Sequence, residues 1–199
     1  MFKKTILAGL LVCGIACSKQ KDSYHTPTFS DNGLLNSVIE IPAGTNKKIE
    51  YNPVTASFEI DQRNGKDRII NFLPYPGNYG FIPSTKAAID QGGDGDALDV
   101  LIIAESLPTG TILEIIPIGM LQLLDNGELD YKIIAVPAQE QLRIINVTTY
   151  AALIEKHNMV KTSIENWFLN YDTKDELLSK GWVDEKLALR EIKKAHNSK

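Results

Sequence analysis

The sequence predicts an α+β fold, with a strand-rich first half closing into a small barrel and helices packed after it. Three observations carry this. Short apolar runs separated by turn residues occupy the chain up to about Asn146, the apolar spacing then changes to a helical period, and once the N-terminal leader and a polar stretch are set aside about 160 residues remain, enough for one domain with a real core.

The elements follow in order. Lys3 and Lys4 precede an apolar stretch from Ile6 to Ala16 that is too short for a resident bilayer span, so residues 1–16 read as an export signal. It ends in Gly14-Ile15-Ala16-Cys17, which resembles a bacterial lipoprotein cleavage site, although Gly14 stands where Leu is usual. That resemblance implies a lipid-modified Cys17, attachment to a membrane through the N-terminal lipid, and a cell-envelope location outside the cytoplasm; an uncleaved anchor is the alternative. Residues 17–36 are polar and broken by Pro27 and Gly33, which suits a flexible tether. The domain is expected over 37–199.

Both cysteines, Cys13 and Cys17, fall in the leader region, so the domain has no thiol for a disulfide, a thiolate nucleophile or a zinc site. The formal charge of −4 excludes nucleic acid as a partner, because affinity for a phosphate backbone needs a basic face. Removal of a leader carrying Lys3 and Lys4 makes the remainder more acidic still.

Within the domain, strands are expected at Val38–Ile41, Lys48–Tyr51, Ser57–Ile60 and Arg68–Phe72. The cluster Pro74-Tyr75-Pro76-Gly77-Asn78-Tyr79-Gly80 forces an irregular loop. Strands resume at Val100–Ala104, Ile112–Leu124 and Tyr131–Val136, the last two joined by a turn at Asp125-Asn126-Gly127-Glu128. Thr148 can cap a helix through Lys156, Thr162 or Ser163 a segment through Trp167, Phe168 and Tyr171, and Asp184 a last helix that places Leu187, Leu189, Ile192 and Ala195 among Lys and Glu. Strands first and helices last argue for α+β.

The chemistry begins at Asp94-Gly95-Asp96-Ala97-Leu98-Asp99, three carboxylates at the mouth of the apolar run Val100-Leu101-Ile102-Ile103. Two like charges about 4 Å apart repel by roughly 4 kcal/mol at an effective dielectric near 20, so such a group persists only with cations present or with some members protonated. A second acidic pair, Asp125 and Asp130, brackets the hairpin turn. Oxygen-only donors favour Mg, Mn or Ca over zinc. A calcium loop of EF-hand type is excluded, since Asp99 stands where its turn needs glycine and no helix flanks the segment. His25, His157 and His196 offer no histidine for a Ser-His-Asp triad, and no glycine-rich nucleotide cradle follows a strand.

Asp94 to Val100 resembles the Asp-x-Asp-Pro-x-Asp signature of soluble family I inorganic pyrophosphatases, and the likeness extends along the chain. Ile39-Glu40-Ile41-Pro42-Ala43 is similar to the family's opening strand, Lys48-Ile49-Glu50 to its Lys-x-Glu and Asp67-Arg68 to its Asp-Arg. Tyr75 through Gly80 resembles its Tyr-Pro-x-Asn-Tyr-Gly, Asp125 through Lys132 its second acidic segment, and Trp167-Phe168 to Tyr171 its C-terminal aromatic stretch.

The resemblance implies an OB-like five-stranded barrel flanked by C-terminal helices, hydrolysis of pyrophosphate to two phosphates, and Mg2+ as cofactor, with Mn2+ as a substitute. By the same resemblance Asp94, Asp99, Asp125 and Asp130 hold metal and Asp96 is the general base. Lys48, Arg68, Tyr79 and Tyr171 contact phosphate with support from Lys132, while Glu40, Glu50 and Tyr75 lie just behind the site. It also implies a homo-oligomer, and a cytoplasmic location if the leader is misread. A metal- or polyanion-binding lipoprotein without turnover and a phosphatase for longer polyphosphates are the alternatives.

Three departures bear on this. Ala97 stands where the family commonly has Pro, which is expected to loosen the backbone after Asp96. Asp172 follows Tyr171 where the bacterial pattern has a phosphate-contacting Lys, and a carboxylate there is expected to repel substrate, with Lys174 as a substitute cation. Residues 84–93 are longer than in compact bacterial members and are expected to form a lid or a surface loop.

Overall fold

The computed structural model describes residues 22–172, 174 and 176–197; the predicted leader and Cys17 lie outside them. In chain order the strands are β1 (Leu35–Ile41), β2 (Ile49–Asn52), β3 (Ser57–Ile60), β4 (Gln62–Arg63), β5 (Lys66–Asp67), β6 (Asn78–Phe81), β7 (Asp99–Ile102), β8 (Ile112–Asp125) and β9 (Glu128–Pro137). Helix α1 (Tyr150–Asn170), strand β10 (Leu177–Val183) and helix α2 (Glu185–Asn197) complete the chain. Among the described residues no helix is long and apolar enough to cross a membrane.

The main sheet runs β1-β6-β7-β9-β8-β10, and β1 also pairs with β8, so five strands form a ring of pairings with β10 added outside it. This is the expected OB-like arrangement with one more strand. Strand β8 pairs with β9 along one edge and, because it is 14 residues long, serves two neighbours on the other: Ile112–Ile115 pair with β1 and Met120–Asp125 with β10. Its turn into β9 uses Asn126 and Gly127, both at positive φ (49° and 92°), the geometry that matches the twist of a tight hairpin.

Alternation along the strands divides the core in two. Ile134 and Val136 of β9 join Leu101, Ile103, Leu121 and Leu123 in a cluster capped by Leu153, Ile164, Trp167 and Phe168 of α1. The other face, with Val100, Ile102, Ile133 and Ala135, is capped by Ala188, Ile192 and Ala195 of α2. Burying a side chain of this kind contributes about 1.5–3 kcal/mol, so the two helices are held by apolar surface. At Gly80 a Cβ would lie 2.0 Å from the Val38 carbonyl oxygen, and only glycine allows β6 to pack this closely on β1.

Several expectations change. Arg68–Phe72 does not form a strand: Ile69 makes one isolated bridge with Lys47, and Phe72 is left exposed. The two central helical segments follow one another directly within α1 and meet at a kink at His157, whose φ and ψ are non-helical, and the first is capped by Thr149 rather than Thr148. Asp184 caps α2 as expected, accepting from Leu187 N at 2.9 Å. The described part of the predicted tether, residues 22–36, is packed: Thr28 is buried and its hydroxyl donates to the Pro83 carbonyl at 2.8 Å, and Leu35 and Asn36 already belong to β1. The buried Thr28 and Asn36 side chains are hydrogen-bonded, Asn36 Nδ2 donating to the Pro27 carbonyl at 2.9 Å, and polar burial of this kind leaves no apolar run in the sequence.

Candidate active site

Parallel pairing of β7 with β9 sets Asp99 opposite Lys132, and Asp130 stands two residues earlier on the same face of β9. Lys132 is 4% exposed and donates to Asp99, to Asp130 and to the Tyr79 hydroxyl, the last at 3.1 Å. Burial works against its charge, but the Asp99 and Asp130 carboxylates outweigh burial and hold the ammonium above its ordinary range. Tyr79 is pushed well up, first by burial and then by Asp99 and Asp130, so its phenol stays a proton donor.

The acidic loop ahead of β7 is shaped by Gly95 at φ +92°, a conformation that favours glycine, and by the Asp94 carboxylate, which accepts from Asp96 N at 2.9 Å. The backbone around Ala97 is pinned: the Asp96 carbonyl accepts from Ala87 N at 2.7 Å and Leu98 N donates to Thr85 Oγ1 at 3.0 Å. These bonds on either side of Ala97 oppose the expected loosening. Residues 84–93 form no detached lid, since Lys86 N bonds to the Ala195 carbonyl and the Gly92 carbonyl accepts from Leu129 N. Burial, with the Asp94 and Asp99 charges behind it, raises the Asp96 carboxyl. Burial also raises Asp130 against the opposing pull of Lys132, and pushes Glu40 up to about 8.

The facing wall is basic and phenolic. Lys48 pairs with Glu50 at 2.5 Å, and Arg68 with Asp61 at 3.3 Å. Asp172, expected to repel an anion, instead accepts from Arg68 Nη2 at 2.7 Å and from Arg63 Nη1 at 3.0 Å. Tyr171 is set by a stack on Trp167, with centroids 4.8 Å apart and planes 10° apart, and burial pushes its phenol up to about 12. Trp167 in turn contacts the Tyr75 ring at 4.6 Å and donates from Nε1 to the Leu73 carbonyl. Lys174, the expected substitute cation, is exposed and does not line the cleft.

Between these walls lies one cleft of ≈ 360 Å³. It gathers the predicted metal carboxylates Asp94, Asp99, Asp125 and Asp130 and the predicted base Asp96. The predicted phosphate contacts Lys48, Arg68, Tyr79, Tyr171 and Lys132 border the same space, as do Glu40, Glu50 and Tyr75. Arg63, Glu128 and Asn126 also line it and were not singled out from sequence. The Asn64-Gly65 pair, a hairpin signal, is what would have drawn attention to Arg63.

The inorganic pyrophosphatase family model matches residues 37–199. The chain belongs to the inorganic pyrophosphatase family. A protein of that name from Neisseria meningitidis serogroup B is 38% identical over 174 residues, 85% of this chain and 91% of the relative. The crystal structure of inorganic pyrophosphatase from Thermus thermophilus superposes with a TM-score of 0.76 at 29% identity, covering 88% of this chain and 97% of that one. An inorganic pyrophosphatase from Neisseria gonorrhoeae gives 0.70 at 33% identity over 89% and 96%.

Inorganic pyrophosphatases of this family depend on metal, and the donor set here fits one. Eight carboxylates against four cations line the cleft, every ligand atom is oxygen, and burial with mutual repulsion raises several of the carboxyls. That is a site short of positive charge. Among the described residues no three carboxylates are gathered tightly enough to grip an ion as they stand, and the Lys132 ammonium is inserted between Asp99 and Asp130.

Proposed function

We propose that this chain hydrolyses inorganic pyrophosphate to two phosphates with Mg2+ as cofactor. The observation that carries the reading is the meeting of an acidic floor and a basic, phenolic wall in one cleft. An anion enters a net acidic cleft only with cations, and Mg2+ bound at Asp94, Asp99, Asp125 and Asp130 would supply charge neutralisation and Lewis acidity toward phosphoryl oxygens.

The chain's own groups do the rest. Asp96 stands in the acidic loop with its backbone pinned, and its raised carboxyl suits it to accept the proton of the attacking water. Arg68 offers a planar fork to phosphate oxygens and Lys48 a point charge. The Tyr79 and Tyr171 phenols, protonated far above neutral pH, donate to the same oxygens. Lys132 keeps Asp99 and Asp130 oriented. Phosphoryl transfer asks mainly for such positioning and charge neutralisation.

The deciding measurement is phosphate release from pyrophosphate with and without Mg2+, beside tripolyphosphate and ATP on the same preparation. Mg-dependent turnover of pyrophosphate well above the other substrates is expected; comparable rates on tripolyphosphate would move the assignment to a general polyphosphatase. Lipid attachment at Cys17 and an envelope location are proposed on the Lys3, Lys4 and Ile6–Ala16 leader. Incorporation of labelled fatty acid that Cys17→Ala abolishes is the expected result. A homo-oligomer is proposed on the family resemblance, with light scattering in solution as its test.

A further inference from the structure

The β4–β5 hairpin contributes nothing to the apolar core. It has two residues in each strand, and Gln62, Asn64, Gly65, Lys66 and Asp67 are all exposed. A hairpin this short is not stable on its own. Its shape is nonetheless specified: Asn64 and Gly65 both have positive φ (56° and 71°), and Gln62 Nε2 donates to Asp67 Oδ1 at 2.5 Å across the pair. Backbone bonds from Asp61 N to the Lys48 carbonyl and from Arg68 N to the Asp61 carbonyl tie both ends to the cleft wall. The single side chain that this hairpin turns inward is Arg63, 31% exposed and bordering the cleft.

Arg63 is aimed together with Arg68. One oxygen, Asp172 Oδ2, accepts from both guanidinium groups, so the two forks stand side by side on the same wall. The other oxygen of Asp172 accepts from Lys174 N at 3.1 Å, which fixes the carboxylate itself. Two adjacent planar forks facing a cleft match an anion with several equivalent oxygens, and guanidinium keeps its charge at any pH the enzyme meets.

We propose that Arg63 is a further substrate-binding cation of this site, and that Asp172 is a positioning residue that sets Arg63 and Arg68 as a pair toward the phosphoryl oxygens. This rests on the pyrophosphatase reading and names a contact within it. Asp172 therefore organises the anion site through the cations it holds.

The test uses the whole chain with Mg2+. Arg63→Gln is expected to raise KM for pyrophosphate, and the dissociation constant of methylenediphosphonate measured by calorimetry, by roughly tenfold, while kcat stays within about threefold. Arg63→Lys should recover part of the affinity, since charge is kept and the fork is lost. Asp172→Asn should raise KM in the same direction and Asp172→Glu should partly restore it. Lys66→Ala, on the same hairpin but outside the cleft, should match the parent chain. If Arg63→Gln and Arg63→Lys both keep KM and the analogue's dissociation constant within twofold of the parent, the proposal is overturned. A parent chain without pyrophosphate turnover would instead overturn the reading beneath it.

Discussion

Asp99 and Lys132 are register partners across the one parallel strand pair of the described sheet, and the Lys132 ammonium also reaches Asp130. A cation thus stands inside the carboxylate group predicted to hold metal. Lys132→Met removes that cation and leaves two part-buried carboxylates facing each other, which costs about 3 kcal/mol. The expected outcome is a lower melting temperature without metal and a larger rise on adding Mg2+ than the parent shows. Differential scanning calorimetry with and without Mg2+ checks it; an equal Mg2+ increment in both proteins would contradict the shared position of cation and metal.

Asp96 differs from its acidic neighbours in what its removal should do. Burial and the Asp94 and Asp99 charges raise its carboxyl, so its ionised form opposes folding as the pH rises. Asp96→Asn should therefore melt no lower than the parent at neutral pH. Turnover should fall by roughly 10²–10⁴-fold, the usual contribution of a general base. Steady-state kinetics beside a thermal melt separates the two effects, and unchanged turnover would remove Asp96 as the proton acceptor.

The Asp172 carboxylate is linked to pH in the opposite sense. Burial favours its neutral form, but the Arg68 and Arg63 partners outweigh this and hold it below the ordinary value of 3.8. A depressed carboxyl stabilises the fold above that value and loses its contribution as pH falls through the folded value. With a side chain 10% exposed and two charged donors, the contribution is about 2 kcal/mol. The melting difference between the parent chain and Asp172→Asn should be full at pH 7 and shrink below pH 3.8. A difference independent of pH would show that the carboxylate's charge is not what matters.

What could be seen in the sequence was dense and local. Asp94 to Asp99 and Tyr75 to Gly80 crowd functional residues into single loops, and the Asn126-Gly127 turn sits between two long apolar strands. Even the break expected after Lys156 has a counterpart, because His157 leaves helical geometry inside α1. What could not be seen depends on partners distant in the chain. Strand β10 has no buried residue of its own and exists through pairing with β8. Arg63 sits in a hairpin too short to show a period. Arg68–Phe72 looks like a strand by composition, yet its backbone is taken up by separate bonds, Lys48 N to the Arg68 carbonyl and Ile70 N to the Asn46 carbonyl.

The packed residues 22–36 give the last prediction, since a polar segment held by hydrogen bonds should fail when a single hydroxyl is removed. Thr28 is 1% exposed; its hydroxyl donates to the Pro83 carbonyl and lies 2.9 Å from His196 Nδ1 on α2, so it joins the N-terminal segment to a loop and a helix at once. Thr28→Val keeps the volume and takes that donor from the buried Pro83 carbonyl, at a cost of about 1–3 kcal/mol. Urea denaturation should show that loss, while KM for pyrophosphate stays unchanged because none of the three groups borders the cleft. A tether merely resting on the domain would tolerate the substitution, and an unchanged midpoint would return these residues to that role.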